Sequence, residues 1–339
     1  MCFLLLVPVG CTKKKPDFTS MPKIDAHLHI RYSGPEFLDQ AMADNFKVIS
    51  IFVDHSDISW QKSFIEQQKK NRLNQIEYIT TFTMQGWDEP DWQEKTMAHL
   101  KNEFENGAIA VKVWKNIGMV FRDKDSNFVM IDHPQFGPIF DFIESQGKTL
   151  TAHIGEPLDC WLPLDQMKAN SNREYYRNHP QYHMYLHQDF PSYNEQIQSY
   201  ERMLEKHPNL RYVGCHLASI EWSMDELAKR LDRFPNMAVD LAARIDDIQL
   251  QDREVVRDFF IRYQDRILYG TDFSINEMHD PIAFAKQAHQ TWLRDWTYFS
   301  TDSVMTIPGI DKSVHSLDLP SSVLNKIYRL NAQKWYPGI

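Results

Sequence analysis

The 339-residue sequence predicts an α/β fold, a (β/α)8 TIM barrel with a long lid insertion between strands 5 and 6. Three features carry this expectation. Short apolar, β-branched runs recur along the chain, amphipathic stretches separate them, and no Gly-x-Gly marks the dinucleotide site of an open doubly wound sheet.

The expected strands are KIDAHLHI (23–30), KVISIFVD (47–54), IEYITTFTM (76–84), AIAVKVW (108–114), TLTAHIG (149–155), RYVGCHL (211–217), MAVDLAA (237–243) and RILYGTDF (266–273). Each is short, apolar and bounded by polar or turn residues, as strands buried on both faces are. Helical apolar spacing fills 60–73, 93–106, 193–207, 223–234, 251–262 and 281–293, and a further helix is expected at 319–331. Gly147-Lys148-Thr149 is no phosphate loop: the upstream glycine position holds Phe142, and the segment leads into a strand. The connection from 155 to 195 is far longer than the others and includes EYYRNHPQYHMYLHQDFPSY. Its aromatic content argues against disorder and for a lid. Residues 21–339 are expected to form one domain, preceded by a leader at 1–20.

Composition narrows the function. With 42% hydrophobic and 24% charged residues the chain reads as an ordinary globular protein. Its net charge of −9 argues against a nucleic-acid partner. The four cysteines, Cys2, Cys11, Cys160 and Cys215, form no C-x-x-C pair, so neither a disulfide framework nor a structural zinc knuckle is expected. Cys215 lies in an apolar run and reads as a small core residue. MCFLLLVPVG followed by Cys11 resembles a bacterial lipoprotein signal, although no Lys or Arg precedes the run and Pro8 interrupts it. Two locations stay open: a periplasmic or cell-surface protein attached to a membrane through a lipidated Cys11, or a cytoplasmic protein with a plain leader. No later segment has the roughly 18 consecutive apolar residues of a membrane span.

Polar residues fall on the strand ends. His27 and His29 close the first strand, two apart and therefore on one side of it. Lys112 lies near the end of the fourth strand, His153 of the fifth, His216 of the sixth, and Asp272 ends the eighth. A barrel gathers these ends on one face, where enzymes of this fold place their sites. Imidazoles with a carboxylate suit a divalent transition metal, zinc first and manganese, iron or cobalt as alternatives. A lone strand-end histidine is more often structural, which is the expectation for His99 and His207. Concordance at independently drawn strand ends favours a metal site. Arg244, Lys115, Glu156, Asp159 and Trp161 follow strands 4, 5 and 7, and Lys112, Lys115, Arg244 and Trp161 are candidate substrate contacts. On the lid, Tyr176, His179 and His183 are equally well read as packed or solvated loop residues. If the three cations reach the pocket, the substrate is anionic.

Together Ile24-Asp25-Ala26-His27-Leu28-His29, Ala110-Val111-Lys112, Thr151-Ala152-His153, Gly214-Cys215-His216 and Tyr269-Gly270-Thr271-Asp272-Phe273 resemble the amidohydrolase superfamily. The resemblance is closer to the amidohydrolase-related branch that includes aminocarboxymuconate-semialdehyde decarboxylase, and it spans roughly residues 21–335. It implies that His27, His29, His153 and Asp272 bind the metal and that Asp272 also acts on the attacking water. His216 would be a base or carbonyl polariser in a one-metal site. In a two-metal site it would be a ligand, with Lys112 carboxylated and bridging; one ion is favoured. The implied activity is hydrolysis of an ester, lactone or amide in a small molecule. Non-oxidative decarboxylation of a small carboxylic acid is the alternative, and a ligand-binding surface lipoprotein with a degenerate site is a third reading. The oligomeric state has no sequence signal.

Overall fold

The computed structural model describes residues 15–339 apart from 309 and 311, so the expectation for Cys11 lies outside the described residues. Nine parallel strands form one curled sheet: β1 (Lys23–Arg31), β2 (Phe46–Ile51), β3 (Ile76–Thr81), β4 (Ala110–Val113), β5 (Thr149–Ala152), β6 (Arg211–Gly214), β7 (Met237–Asp240), β8 (Ile267–Leu268) and β9 (Phe273–Asn276). Their order is β8-β7-β6-β5-β4-β3-β2-β1-β9. The expected eighth strand is thus split in two: β8 pairs with β7, and β9 pairs with β1. Between the pieces, Ala26 N donates to Tyr269 O (2.9 Å) and Asp272 N to His27 O (2.8 Å), which keeps this stretch beside β1. The arrangement is α/β and consistent with a (β/α)8 barrel.

Packing separates an inner from an outer layer. Ile24, Ala26, Ile49, Ile51, Ile79, Ala110, Val213, Ala238 and Leu268 form an inner cluster with Trp335 and Tyr336 from the C-terminal segment. Tyr336 Oη donates to Thr151 Oγ1 (3.2 Å), and Thr149 Oγ1 donates to Trp335 O, so the chain's end packs against β5 from within this cluster. The larger cluster joins the outward faces of the strands to the surrounding helices.

The parity of β1 changes partway along it. Ile24 and Ala26 belong to the inner cluster, whereas Leu28 and Ile30 belong to the outer one. A register shift between Asp25 and Leu28 sets three steps of β1 against two of β2. Such a bulge turns the following side chains to the opposite face. His27 and His29 therefore face inward, while Asp25 lies on the outward side, bonded to Trp292 Nε1 (3.0 Å) and Thr271 Oγ1 (2.7 Å).

The expected helices are present at Ile58–Arg72, Trp92–Glu105, Tyr193–Lys206, Met224–Arg233, Arg253–Arg262 and Pro281–Ser300. Helices at Glu36–Ala43, Gly137–Ser145 and Asn170–Asn178 are additional. The segment between β5 and the Tyr193 helix folds into short 3-10 turns around the Asn170–Asn178 helix. Its Cys160, Met167, Tyr176 and Met184 form a small core with Met119, which follows β4. Asp159 knits it together, accepting from Lys168 N (3.3 Å), Ala169 N (3.2 Å) and Asn172 Nδ2 (3.2 Å). No helix among the described residues is long and apolar enough to cross a membrane.

Candidate metal centre and active site

His27, His29, His153, His216 and Asp272 meet on the face formed by the strand C-termini. His27 Nε2 lies 3.5 Å and His29 Nε2 3.2 Å from Asp272 Oδ1. The His216 ring is 4.8 Å from that of His27 and 4.1 Å from that of His153. His27, His216 and Asp272 each offer a donor atom within 4.8 Å of the others.

The opposite edge of three rings is anchored. His27 Nδ1 is 2.8 Å from Asp240 Oδ2, His29 Nδ1 is 2.7 Å from Ile51 O, and His216 Nδ1 is 2.8 Å from Ala242 O. Each partner is an acceptor only, so each Nδ1 carries the proton. His29 and His216, kept neutral by burial, then present an Nε2 lone pair inward, and His27 does so once its second proton leaves, the arrangement that outer partners impose on metal-binding histidines. His153 Nε2 is buried with no hydrogen-bond partner, 3.7 Å from Glu156 Oε2. An orphaned buried ring nitrogen beside three inward-facing ones fits a divalent transition metal.

Backbone strain clusters at the same strand ends. His216, Leu217, Ala218 and Ser219 hold φ of 57°, 57°, 54° and 57°, a left-handed turn without glycine. Each such residue costs about 1–2 kcal/mol. Asp240 Oδ1 accepts His216 N (2.8 Å), and Ser219 Oγ donates to Ile154 O (2.8 Å). Gly214 is required beneath the turn, since a Cβ there would come 2.5 Å from Ala218 Cβ. Asp272 is also left-handed, at φ 66°. Gly270 lets the chain pass close under His27, whose Cβ a side chain at 270 would approach to 2.9 Å.

Electrostatics separate the rings. Burial works against the charged form of His27, but the Asp240 carboxylate more than offsets it and the imidazole is pushed up to about 10. Burial lowers His153 to about 4 and holds His29 and His216 below the ordinary histidine value. Burial also opposes ionisation of Asp272, yet His216, His29 and His27 together keep its carboxyl well below the usual range.

The remaining candidates divide. Lys112 is buried, and its Nζ donates to Cys215 Sγ at 2.8 Å. Cys215 is therefore not only a packing residue, because it also meets Thr151 Oγ1 at 3.3 Å. Lys115 forms an ion pair with Glu156. Arg244 is buried, its Nη1 donates to Ala243 O, and its Nε has no partner. Trp161 donates from Nε1 to Pro191 O (3.4 Å) and packs edge-on to Tyr193, so it belongs to the framework of the insertion. Tyr176 sits in the insertion's core, His183 Nε2 meets Leu162 O at 2.7 Å, and His179 is bonded to Tyr175 O at the surface. His99 and His207 are ordinary bonded residues, to Thr81 O and Asp141 respectively.

Sequence reasoning passed over Asp240. An expected strand running to residue 243 places this carboxylate in mid-strand, but β7 stops at Asp240. A lone acid in an otherwise apolar strand was the available signal.

Two cavities adjoin the loops that follow the strands, and none of His27, His29, His153, His216 and Asp272 lines either of them. One of about 430 Å3 is lined by Trp114, Lys115, Glu156, Tyr175, Tyr182 and Phe190, among others. The other, about 400 Å3, is lined by Tyr175, Ala243, Gly270, Thr271, Arg294 and Asp295, among others.

Comparison with known proteins agrees with this architecture. A search of curated proteins gives no match. The 2,6-dihydroxybenzoate decarboxylase from Rhizobium superposes with a TM-score of 0.52 at 14% identity, covering 93% of this chain and 98% of that one. A 2,6-dihydroxybenzoate decarboxylase complexed with 2,6-dihydroxybenzoate gives 0.51 at 13% identity, covering 93% and 99%. A protein described as amidohydrolase II also gives 0.51 at 13% identity, covering 93% and 99%. Identities this low establish a shared fold and no more. The family model described as amidohydrolase matches residues 81–338, most of the chain and four of the five strand-end motifs. The chain belongs to the amidohydrolase family.

Proposed function

We propose that the protein is a metal-dependent hydrolase of a small molecule, with His27, His29, His153 and Asp272 holding one divalent transition metal, zinc in the first instance. The observation that carries this reading is the set of inward-facing Nε2 atoms, one of them buried without a partner. Such a metal supplies a Lewis acid and lowers the pKa of a bound water toward neutrality. Asp272 Oδ1, held ionised by the surrounding histidines, accepts a proton from the attacking water and returns it to the leaving group. His216, neutral and with its proton held on Nδ1 toward Ala242 O, offers its Nε2 lone pair as a base beside the attacking water. The engagement of Lys112 Nζ by Cys215 Sγ supports one ion over a lysine-bridged pair.

An anionic substrate is less well supported than the sequence suggested. Lys112 is buried on Cys215, and Lys115 is matched by Glu156. Arg294, in the second cavity, has Asp295 Oδ1 at 3.5 Å. Arg244 is the cation with a free edge, although Asp247 and Glu221 face it.

Decarboxylation is the second reading, the reaction named for two structures that share this fold over 93% of the chain. The same ligands serve either reaction, and fold alone does not choose. Turnover in 18O-labelled water separates them. Hydrolysis puts label into the acid product, whereas decarboxylation releases CO2 and leaves the remaining product unlabelled. Asp272→Asn abolishes either reaction with the fold intact; an active Asp272→Asn enzyme contradicts the assignment.

A further inference from the structure

Neither Lys112 nor Cys215 has a part in the proposed reaction, yet both sit close to it. A donor atom of Cys215 lies within 4.8 Å of donor atoms of His27 and Asp240. Ala110 and Val213 belong to the inner cluster, so two positions further along β4 and β6 the chain faces inward again. Register sets Lys112 against Thr151 and Thr151 against Val213. Lys112 Nζ donates to Cys215 Sγ at 2.8 Å, and Thr151 Oγ1 meets the same sulfur at 3.3 Å from the strand between. Among the described residues Nζ has no other hydrogen-bond partner and no ion pair. Lys112 is 1% exposed and Cys215 0%. An amine and a thiol are thus held in contact by three adjacent strands and sealed from bulk water.

We propose that this pair is a redox-sensitive modification site, at which hydrogen peroxide links Lys112 Nζ to Cys215 Sγ through one bridging oxygen. The first peroxide transfers an oxygen to sulfur, giving the sulfenic acid and one water. The second accepts two electrons as the N–O bond forms; one N–H and the sulfenic O–H are lost, and two waters leave. Sulfur and nitrogen each give up two electrons, which the two peroxides take. Two equivalents of dithiothreitol reverse the change, returning thiol, amine and one water. A single oxygen spans a separation of 2.8 Å with little movement, whereas a direct S–N bond requires the two atoms to close by about an ångström between packed strands. Peroxide is little larger than water, and the face above is open at Asp272 and His29, 32% and 14% exposed. Cys160 is the contrast within the chain: its Sγ donates to Tyr182 O (3.1 Å), no lysine is bonded to it, and burial pushes its thiol up to about 12. The link joins β4 to β6 beside His216 and closes a loop spanning 103 positions, whichever reaction the metal centre performs.

Peptide mapping of the zinc-loaded protein without reductant, before and after brief exposure to hydrogen peroxide, tests the proposal without requiring turnover. Peroxide is expected to produce one linked pair of peptides, carrying Lys112 and Cys215. The pair should be heavier than the two peptides together by about 14 Da, one oxygen gained and two hydrogens lost, and dithiothreitol should separate it. Cys160 is expected to stay out of any link. Cys215→Ser and Lys112→Met should each abolish the linked pair, and because these positions are buried the wild-type map carries the decision by itself. Lys112 and Cys215 recovered only in separate peptides, while methionine sulfoxide elsewhere shows that the oxidant acted, overturns the proposal. So does a linked pair lighter by two hydrogens, the direct S–N bond, or a link from Cys215 to another residue.

Discussion

Replacing Asp240 by Asn isolates how the protein fixes the state of its first histidine. Asp240 is fully buried; Oδ2 meets His27 Nδ1 at 2.8 Å, while Oδ1 accepts His216 N at 2.8 Å and Ala242 N at 3.2 Å. Asn is nearly isosteric, and its carbonyl oxygen can keep the two backbone donors. Its amide then points N–H toward His27 Nδ1, which must become an acceptor. The proton moves to Nε2, the atom aimed at Asp272 and the proposed metal. Loss of an outer partner of a metal-binding histidine typically weakens metal binding ~10–100-fold, or ~1.4–2.8 kcal/mol. Loss of one hydrogen bond to a charged group costs a further ~1.5–3 kcal/mol of fold stability. Competition with a chromophoric chelator measures the metal affinity, and thermal unfolding of the metal-free protein measures the second effect. A folded Asp240→Asn protein that binds metal within about twofold of wild type would refute the tautomer argument.

Other consequences follow from the same geometry. Gly270→Ala drives a methyl to 2.9 Å from His27 Cβ and should cost ~1–3 kcal/mol together with weaker metal binding; unchanged affinity in a chelator titration would show that the β8 turn yields freely. In the metal-free protein the raised His27 contributes stability that is fully present below its unfolded value near 6.5 and is lost as pH rises through about 10. Its depressed partner Asp240 contributes stability present above its unfolded value and lost at lower pH. Denaturant titrations should therefore show wild-type stability falling from pH 7 to 10 relative to Asp240→Asn, and parallel curves would contradict the pairing. Because metal displaces the His27 proton, binding at pH 7–8 should release about one proton, read by calorimetry in buffers of different ionisation enthalpy. Lys115→Ala strands the Glu156 carboxylate and should destabilise by ~1–3 kcal/mol, more than Lys115→Ala with Glu156→Gln does; equal losses would mean the pair is not coupled.

The barrel pattern was legible because buried parallel strands are short apolar runs, and those runs stand out in this chain. His27, His29, His153, His216 and Asp272 were legible because one barrel face collects every strand end. What escaped was set by local geometry. The pair His27 and His29 does share one side, but the bulge after Asp25 decides that this side is inward. The left-handed turn from His216 to Ser219 contains no glycine to announce it. The helix Gly137–Ser145 was not among the expected ones; its Gly-Pro start holds proline where a helix favours it. Lys112 meets a cysteine 103 residues away, a contact that depends on β4 and β6 both flanking β5. Trp161 follows a strand as the gathered histidines and Asp272 do, but the segment it lies on turns it toward Tyr193.

Metal content tests the central claim most directly. Protein purified without chelator, measured by inductively coupled plasma mass spectrometry, should carry about one transition-metal ion per chain, and His27→Ala with His29→Ala should carry none while remaining folded. A wild-type protein without transition metal after exposure to zinc, manganese, iron and cobalt, or a double variant that keeps its ion, would contradict the account.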